Sequence, residues 1–293
     1  LEALLAAKGI ESSPVLIGMD EGPILPNVPL LGRFNHAITY VPEFNLYLDS
    51  TNPWARFGQL PEGDLGAPVL LTRDAKLART PGSDEQPVKS ALSVDFVFDN
   101  AGNLQGETER RLSEVEEIDL RGYFSQINRQ NRAQAEATIM SASGIDGNGE
   151  VAMNSDPLDL KKQFGYRFRF KADDYVDFGV VGGMTLPNPP GGKSFRTLYT
   201  TTAAPGNETP FYCSAQRYDE TYRLQLPANV PIIAIPQDRQ FRNAAGDYRV
   251  AWRRDGQQVT VNHRLQVNAI RGKEALCQAQ DYPAFRELFQ QVR

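Results

Sequence analysis

Apolar and polar residues alternate with a period of two through most of the chain after residue 90. The clearest runs lie at residues 92–98, 166–170, 222–226, 248–252 and 259–267. Successive side chains of a strand point to opposite faces, so such runs predict strands that are buried on one face. We therefore expect residues 90–293 to form a mainly antiparallel, sandwich-like β domain.

Two stretches of this part have helical patterns instead. Residues 113–116, Ser-Glu-Val-Glu, match a capping box and predict a helical segment at about 113–143, in one or two helices, with Gly122 as its break. Asp281 is suited to the N-cap of a short C-terminal helix. Its apolar stripe would consist of Tyr282, Phe285, Leu288 and Phe289.

The first part of the chain has a different pattern. Residues 1–9 resemble the end of a helix that Gly9 terminates, and residues 14–19 form an apolar run that predicts a buried strand. Residues 20–32 contain three prolines and predict a surface loop. Residues 34–41 and 46–51 predict a hairpin.

A change in composition separates the two parts. Residues 79–87 have the Pro, Gly and charge content of a linker. We therefore predict a first unit at 1–78, a linker at 79–89 and the β-rich domain at 90–293. Leu1 is followed directly by a helical pattern, so we expect this sequence to be a fragment of a longer protein.

Charge and cysteine content narrow the possible partners. The 31 Lys and Arg residues are outnumbered by 36 Asp and Glu residues, which argues against a nucleic-acid partner. The chain has no apolar run near the ~20 residues that a membrane-spanning helix needs. Cys213 and Cys277 are too few for a structural zinc site, whereas a disulfide between them in an oxidising compartment remains open. We predict no metal and no cofactor.

The predicted hairpin carries the one constellation with chemical content. If its turn is centred on Glu43 and Phe44, Val41 faces Leu46, and His36 and Asp49 share a face within reach of each other. A carboxylate in that position orients an imidazole so that it can activate a nucleophile. A turn with an odd number of residues would place the two side chains on opposite faces. An ordinary ion pair on a sheet is the alternative interpretation.

Several segments resemble the transglutaminase-like domain of bacterial proteins that have flanking β-rich domains of unknown function. They are residues 4–17, 34–38 (Phe-Asn-His-Ala-Ile), 46–51 (Leu-Tyr-Leu-Asp-Ser-Thr) and 58–61 (Gly-Gln-Leu-Pro). The resemblance implies an α+β fold in which the C-terminal part of a transglutaminase-like core precedes the β-rich domain. It also implies that His36 is the general base and Asp49 its orienting partner, and that the nucleophilic Cys precedes Leu1. A triad without its nucleophile would be inactive.

Two functions are consistent with this resemblance. The intact protein would be a cysteine acyl transferase or peptidase that acts on a protein or peptide. Alternatively, the transglutaminase-like scaffold would be a non-catalytic binding or assembly module with a partner in the cell envelope. Either function fits a periplasmic or envelope location. Residues at other positions carry less information: His263 falls on the apolar face of its strand, which predicts a partly buried histidine whose polar atoms are hydrogen-bonded.

Overall fold

The computed structural model describes residues 1–19, 32, 34–85, 88–112, 114–127, 130–180, 182–196, 198, 204–271 and 276–292. Four helices are present in these ranges: α1 (Glu2–Ala6), α2 (Glu114–Ser125), α3 (Arg132–Ser143) and α4 (Tyr282–Gln290). None of the helices described is both long and apolar enough to cross a membrane. The predicted loop at 20–32 lies outside the described residues except for Gly32, and Ser113 of the predicted capping box lies outside them too.

The first part of the chain forms a five-stranded antiparallel sheet. Its strands are β1 (Ser13–Ile17), β2 (His36–Val41), β3 (Leu46–Leu48), β4 (Pro68–Leu71) and β5 (Lys76–Arg79), in the order β3-β2-β1-β4-β5. Val15, Ile17 and Val69 are fully buried in its core, and Val88 and Val115 from the second part pack into the same cluster. The two parts therefore share buried surface at this junction.

The second part contains an eight-stranded sheet. Its strands are β6 (Val88–Phe98), β7 (Leu104–Leu112), β8 (Asn148–Met153), β9 (Gly165–Ala172), β11 (Gln216–Gln225), β12 (Arg239–Asn243), β13 (Gly246–Asp255) and β14 (Gln258–Val267). The order is β12-β13-β14-β11-β6-β7-β9-β8. A short pair, β10 (Phe211–Tyr212) with β15 (Leu276–Cys277), lies apart from it. The fold is thus β-rich with a few helices, as expected.

The described strands do not form the expected sandwich-like arrangement: eight of them make one large sheet, and β10 and β15 make a separate short pair. In β6, residues alternate between buried and exposed along the whole strand, so one face is apolar. Helices rather than a second sheet cover that face: Phe124 of α2, Met140 of α3 and Leu288 of α4 all belong to its buried core. The sheet is antiparallel except where β6 and β11 pair in parallel.

The helical segment has its break at a different place from the predicted one. Gly122 lies inside α2, and the chain leaves the helix only after Ser125. A side chain at Gly122 would come within 3.3 Å of the Trp54 ring. Gly122 therefore allows α2 to approach the first part closely, and it does not end the helix.

The predicted boundary at 79–89 remains a prediction. The first sheet ends at Arg79 and the second begins at Val88. Thr80 and Ser83 between them are buried, and Ser83 Oγ accepts a hydrogen bond from the Ala215 backbone at 2.8 Å. This connection is therefore packed against the second part.

Candidate functional site

The β2–β3 hairpin has the predicted register, in which Val41 pairs with Leu46. Its turn is a short 3₁₀ helix, Pro42–Phe44, followed by Asn45 in the left-handed region at φ 47°. Asn tolerates that conformation better than most residues, and its side-chain oxygen accepts a hydrogen bond from the Tyr40 hydroxyl at 2.9 Å. The turn has an even number of residues, so the residues that flank the hairpin face each other as the sequence predicts.

The structure brings His36 and Asp49 together. Nε2 of His36 lies 3.3 Å from Oδ2 of Asp49, and the two side chains are 22% and 5% exposed. The other carboxylate oxygen of Asp49 accepts hydrogen bonds from the backbone N–H and the hydroxyl of Thr51, at 2.9 and 2.7 Å. Both carboxylate oxygens of Asp49 are therefore engaged, and the contact with Nε2 orients the imidazole ring of His36. The role that the sequence assigns to this pair in catalysis stays a prediction.

A third group, Asp64, joins this pair, and the sequence analysis did not predict it. Ligand atoms of His36, Asp49 and Asp64 all lie within 4.8 Å of one another. Asp64 is fully buried, and neither of its carboxylate oxygens has a hydrogen-bond partner. Burial, and then the charge of Asp49, raise the pKa of Asp64 to about 6, and the nearby His36 opposes this shift. Buried carboxyl groups normally have hydrogen-bond partners, so this one stands out.

The backbone around Asp64 is held firmly. Asp64 ends the 3₁₀ helix Glu62–Asp64, where its N–H bonds to the Pro61 carbonyl at 3.0 Å. The buried hydroxyl of Thr80 donates to the Asp64 carbonyl, and the Ala67 N–H donates to the same hydroxyl. The turn that carries Asp64 to the hairpin lies 28 positions after His36. No periodic pattern in the sequence marks Asp64 as part of the site.

The three groups could in principle hold a divalent cation, since they offer one nitrogen and two carboxylates. His36 and Asp49, however, already contact each other at 3.3 Å. Only Asp64 lacks a partner. We do not assign a metal to the group on this geometry.

What the site can do chemically depends on the free nitrogen of His36. Because Nε2 faces a carboxylate, the imidazole is held with Nδ1 directed elsewhere, and Nδ1 has no hydrogen-bond partner among the described residues. An imidazole held in this way can accept a proton at Nδ1 while the carboxylate stabilises the resulting charge. The arrangement therefore suits a general base that needs a nucleophile on its open side.

No thiol of this chain can serve as the nucleophile beside His36. Cys213 and Cys277 are the two cysteines of the sequence, and they form a disulfide. The sequence analysis had left this pairing open. A nucleophilic sulfur at His36 would have to come from outside these 293 residues.

A large cavity of about 770 Å³ borders the turn that carries Asp64. Glu62 lines it on one side, and apolar side chains of the C-terminal part, including Phe211, Phe285 and Phe289, line it on the other. Burial, followed by the charge of Asp119, raises the pKa of Glu62. The cavity could accept an apolar group beside the turn that carries Asp64.

Trp54 lies at the junction of the two parts, where its ring packs against Gly122 of α2. Phe57 is 86% exposed. His263 is buried, and its Nδ1 lies 3.0 Å from the Tyr248 hydroxyl. The prediction that its polar atoms are hydrogen-bonded is wrong for Nε2, which has no partner.

The chain is similar to one family of domains and to one solved structure. Residues 193–293 match the model of the family DUF3858, a domain of unknown function with a solved structure. No curated protein matches the chain. A solved structure described as a putative protease from Parabacteroides distasonis is similar over 99% of this chain, with 12% sequence identity and a TM-score of 0.47.

This chain covers 39% of the length of that protein. The matched domain of unknown function begins well after His36, Asp49 and Asp64. Neither match is described as transglutaminase-like, so that resemblance remains a hypothesis.

Proposed function

We propose that this chain supplies the general base and the orienting carboxylate of a cysteine-dependent acyl-transfer site. The observation that carries the proposal is the contact of 3.3 Å between His36 Nε2 and Asp49 Oδ2, with Asp49 held in turn by Thr51. An ordinary surface ion pair needs no such support, and its carboxylate is seldom as buried as that of Asp49.

The reaction would proceed through a thioester. His36 Nδ1 takes the proton of a thiol, and the thiolate attacks the carbonyl carbon of an amide and forms a C–S bond. The C–N bond then breaks, and the imidazolium returns its proton to the leaving amine. Water or a primary amine next attacks the thioester while His36 accepts its proton. The C–S bond breaks, and the departing sulfur recovers that proton. Hydrolysis gives a peptidase, and attack by an amine gives a transferase.

The thiol would belong to a part of the protein outside this sequence, because both cysteines here are in the disulfide. A disulfide also supports an oxidising compartment, such as the periplasm, as the place where the protein acts. A protein or peptide is the substrate class that we propose.

The first test labels the full-length protein that contains this sequence with iodoacetamide. We expect one reactive cysteine other than Cys213 and Cys277, and we expect His36→Ala to slow its alkylation at neutral pH at least about tenfold. Thr51→Val should slow it less, because Asp49 keeps one of its supporting bonds. Glu43→Gln, on the exposed turn of the same hairpin, serves as the control. Alkylation that is unaffected by His36→Ala would contradict the proposal.

A second test uses the 293-residue chain itself. It has two histidines, so ¹⁵N spectra can resolve the ring nitrogens of both. We expect His36 to carry its proton on Nε2, where it faces Asp49. Asp49→Ala should abolish that preference. An equal mixture of the two neutral forms in the unmodified chain would show that the contact does not orient the ring.

The alternative function is a non-catalytic binding module of the cell envelope. The disulfide and the large β-rich part are the observations that favour it. In that case the full-length protein would have no cysteine whose reactivity depends on His36, and the His36–Asp49 contact would only stabilise the hairpin.

A further inference from the structure

A second cleft lies beside β12, β13 and β14 of the large sheet. Its volume is about 540 Å³, and it is lined by Arg196, Asp238, Arg239, Tyr248, Trp252 and His263 among others. We call it the Arg196–Arg239 cleft. It shares no residue with the His36 site.

His263 is the buried polar group of the cleft. It is 7% exposed, and its Nδ1 is engaged by the Tyr248 hydroxyl at 3.0 Å. Its Nε2 is buried and has no hydrogen-bond partner. A buried ring nitrogen without a partner is uncommon, and here it belongs to a residue that lines an open cleft. This ring nitrogen is therefore left without a partner beside the cleft.

Two arginines give the cleft its charge. Neither Arg196 nor Arg239 forms an ion pair in the described part of the chain. Arg196 donates a long hydrogen bond of 3.4 Å to the Leu186 carbonyl, and Arg239 one of 3.5 Å to the Gln291 carbonyl. Arg239 also interacts with the hydroxyl of Tyr248. Burial lowers the pKa of His263 to about 4, and the charges of Arg196 and Arg239 contribute to this shift. Both guanidinium groups therefore act on the space around His263.

The carboxylates near the cleft already accept hydrogen bonds from other groups of the protein. Asp238 at the rim accepts hydrogen bonds from the Trp252 backbone at 2.8 Å and from Arg253 at 3.0 Å. Glu220, which lies opposite His263 in the sheet, accepts bonds from Ser194, Tyr222 and the Phe195 backbone. Its charge partly offsets that of Arg196. Arg239 forms no ion pair with a carboxylate in the described ranges, since Asp238 is paired with Arg253.

We infer that the Arg196–Arg239 cleft binds a small organic oxyanion, with its carboxylate or phosphate between the two arginines and His263, and its apolar body against Trp252. Guanidinium groups match the oxygens of both anions, and a tryptophan face gives an apolar ring a surface to pack on. The cleft lies almost entirely within the matched domain of unknown function, for which it would be a ligand site.

The test measures binding of three probes to the 293-residue chain by calorimetry. Benzoate and phenyl phosphate share a ring and differ in the anion, and benzyl alcohol is the neutral control. We expect one of the two anions to bind with a Kd below about 1 mM and benzyl alcohol not to bind. The tighter of the two anions identifies the headgroup. Failure of both anions, or equal binding of benzyl alcohol, would overturn the inference.

Variants locate the binding. Arg239 is exposed, so Arg239→Gln should fold normally, and we expect it to weaken binding at least about tenfold. Arg264→Gln removes the same charge from a solvent-exposed arginine that is paired with Asp219, and it should leave the Kd unchanged. An equal loss in both variants would mean that only net charge attracts the anion, which would contradict a built site. The ¹⁵N signal of His263 Nε2 should shift on binding in the unmodified chain.

Discussion

The two parts of the molecule differ in how their buried carboxyl groups are hydrogen-bonded. In the eight-stranded sheet, Glu220 is 3% exposed and receives hydrogen bonds from three donors, at 2.6 to 2.9 Å. In the five-stranded part, Asp64 is fully buried and receives none. Glu220 fastens the loop at Ser194 and Phe195 to the sheet. The Asp64 carboxyl has no hydrogen-bond partner and its pKa is raised, a combination that is often found at functional sites.

The two tryptophans allow each part to be followed separately. Trp54 lies in the first part and Trp252 on β13 of the second. Single-tryptophan variants would therefore report the unfolding of each part by fluorescence. The predictions below use this difference, from the largest expected effect to the smallest.

The disulfide should have the largest effect. It closes a loop of 64 positions in the second part, and its loss through Cys213→Ala with Cys277→Ala should lower the free energy of unfolding by about 4 kcal/mol. Urea denaturation followed at Trp252 measures this change. If the Trp54 signal moves by the same amount, the two parts unfold as one unit. An unchanged midpoint at Trp252 would contradict the prediction.

Removal of the Glu220 carboxylate comes next. Glu220→Met keeps the side-chain volume but leaves three buried donors without an acceptor, so we expect a loss of about 3 kcal/mol. Asp219→Asn, at the exposed neighbouring position, is the matched control and should cost less than about 1 kcal/mol. Equal stability of the Glu220→Met variant would mean that these bonds do not fasten the loop.

Asp64→Asn should raise the free energy of unfolding, whereas the two preceding changes lower it. The Asp64 pKa is raised from 3.8 to about 6 in the folded chain, so the folded state holds this proton more tightly than the unfolded state. The stability that this carboxyl contributes is complete below about pH 4 and is lost as the pH rises through about 6. The variant should therefore gain on the unmodified chain by up to about 3 kcal/mol between those limits.

Urea denaturation across this pH range, followed at Trp54, measures the gain. Asp74→Asn, at an exposed position, is the control and should show no comparable trend. A difference between the Asp64→Asn variant and the unmodified chain that does not change with pH would show that Asp64 is not an isolated buried acid.

The smallest prediction concerns the junction of the two parts. Ala at position 122 favours a helix over Gly by about 1 kcal/mol, but its Cβ would come within 3.3 Å of the Trp54 ring. We expect Gly122→Ala to show its full gain only in a Trp54→Ala background. A double-mutant cycle measures the difference, and additive effects would mean that α2 and Trp54 do not pack together in solution.

The sequence predicts elements better than it predicts their partners. The β2–β3 hairpin follows from apolar alternation and a short turn, and its register was confirmed. The parallel pairing of β6 with β11 could not be predicted, because each strand's pattern records only which of its faces is buried. Gly122 was misinterpreted for a similar reason: its neighbour, Trp54, is remote in sequence.

Likewise, the sequence predicts His36 and Asp49 of the candidate site but not Asp64. His36 and Asp49 lie on one hairpin, so local geometry relates them. Asp64 reaches them through the Glu62–Asp64 turn, which is anchored by Thr80 on a further strand end. Three separate segments must fold before these groups come into contact. The alternation of apolar and polar residues does not predict contacts between segments that are remote in sequence.

The parallel pairing at the centre of the large sheet also bears on how quickly the chain can reach its native state. Val88 is paired with Gln216 and Asp95 with Arg223, each across 128 positions. Contacts of such long range are slow to form because a large loop must close first. During synthesis β6 must wait with one edge unpaired until β11 leaves the ribosome, and chaperones that shield strand edges would matter most in that interval.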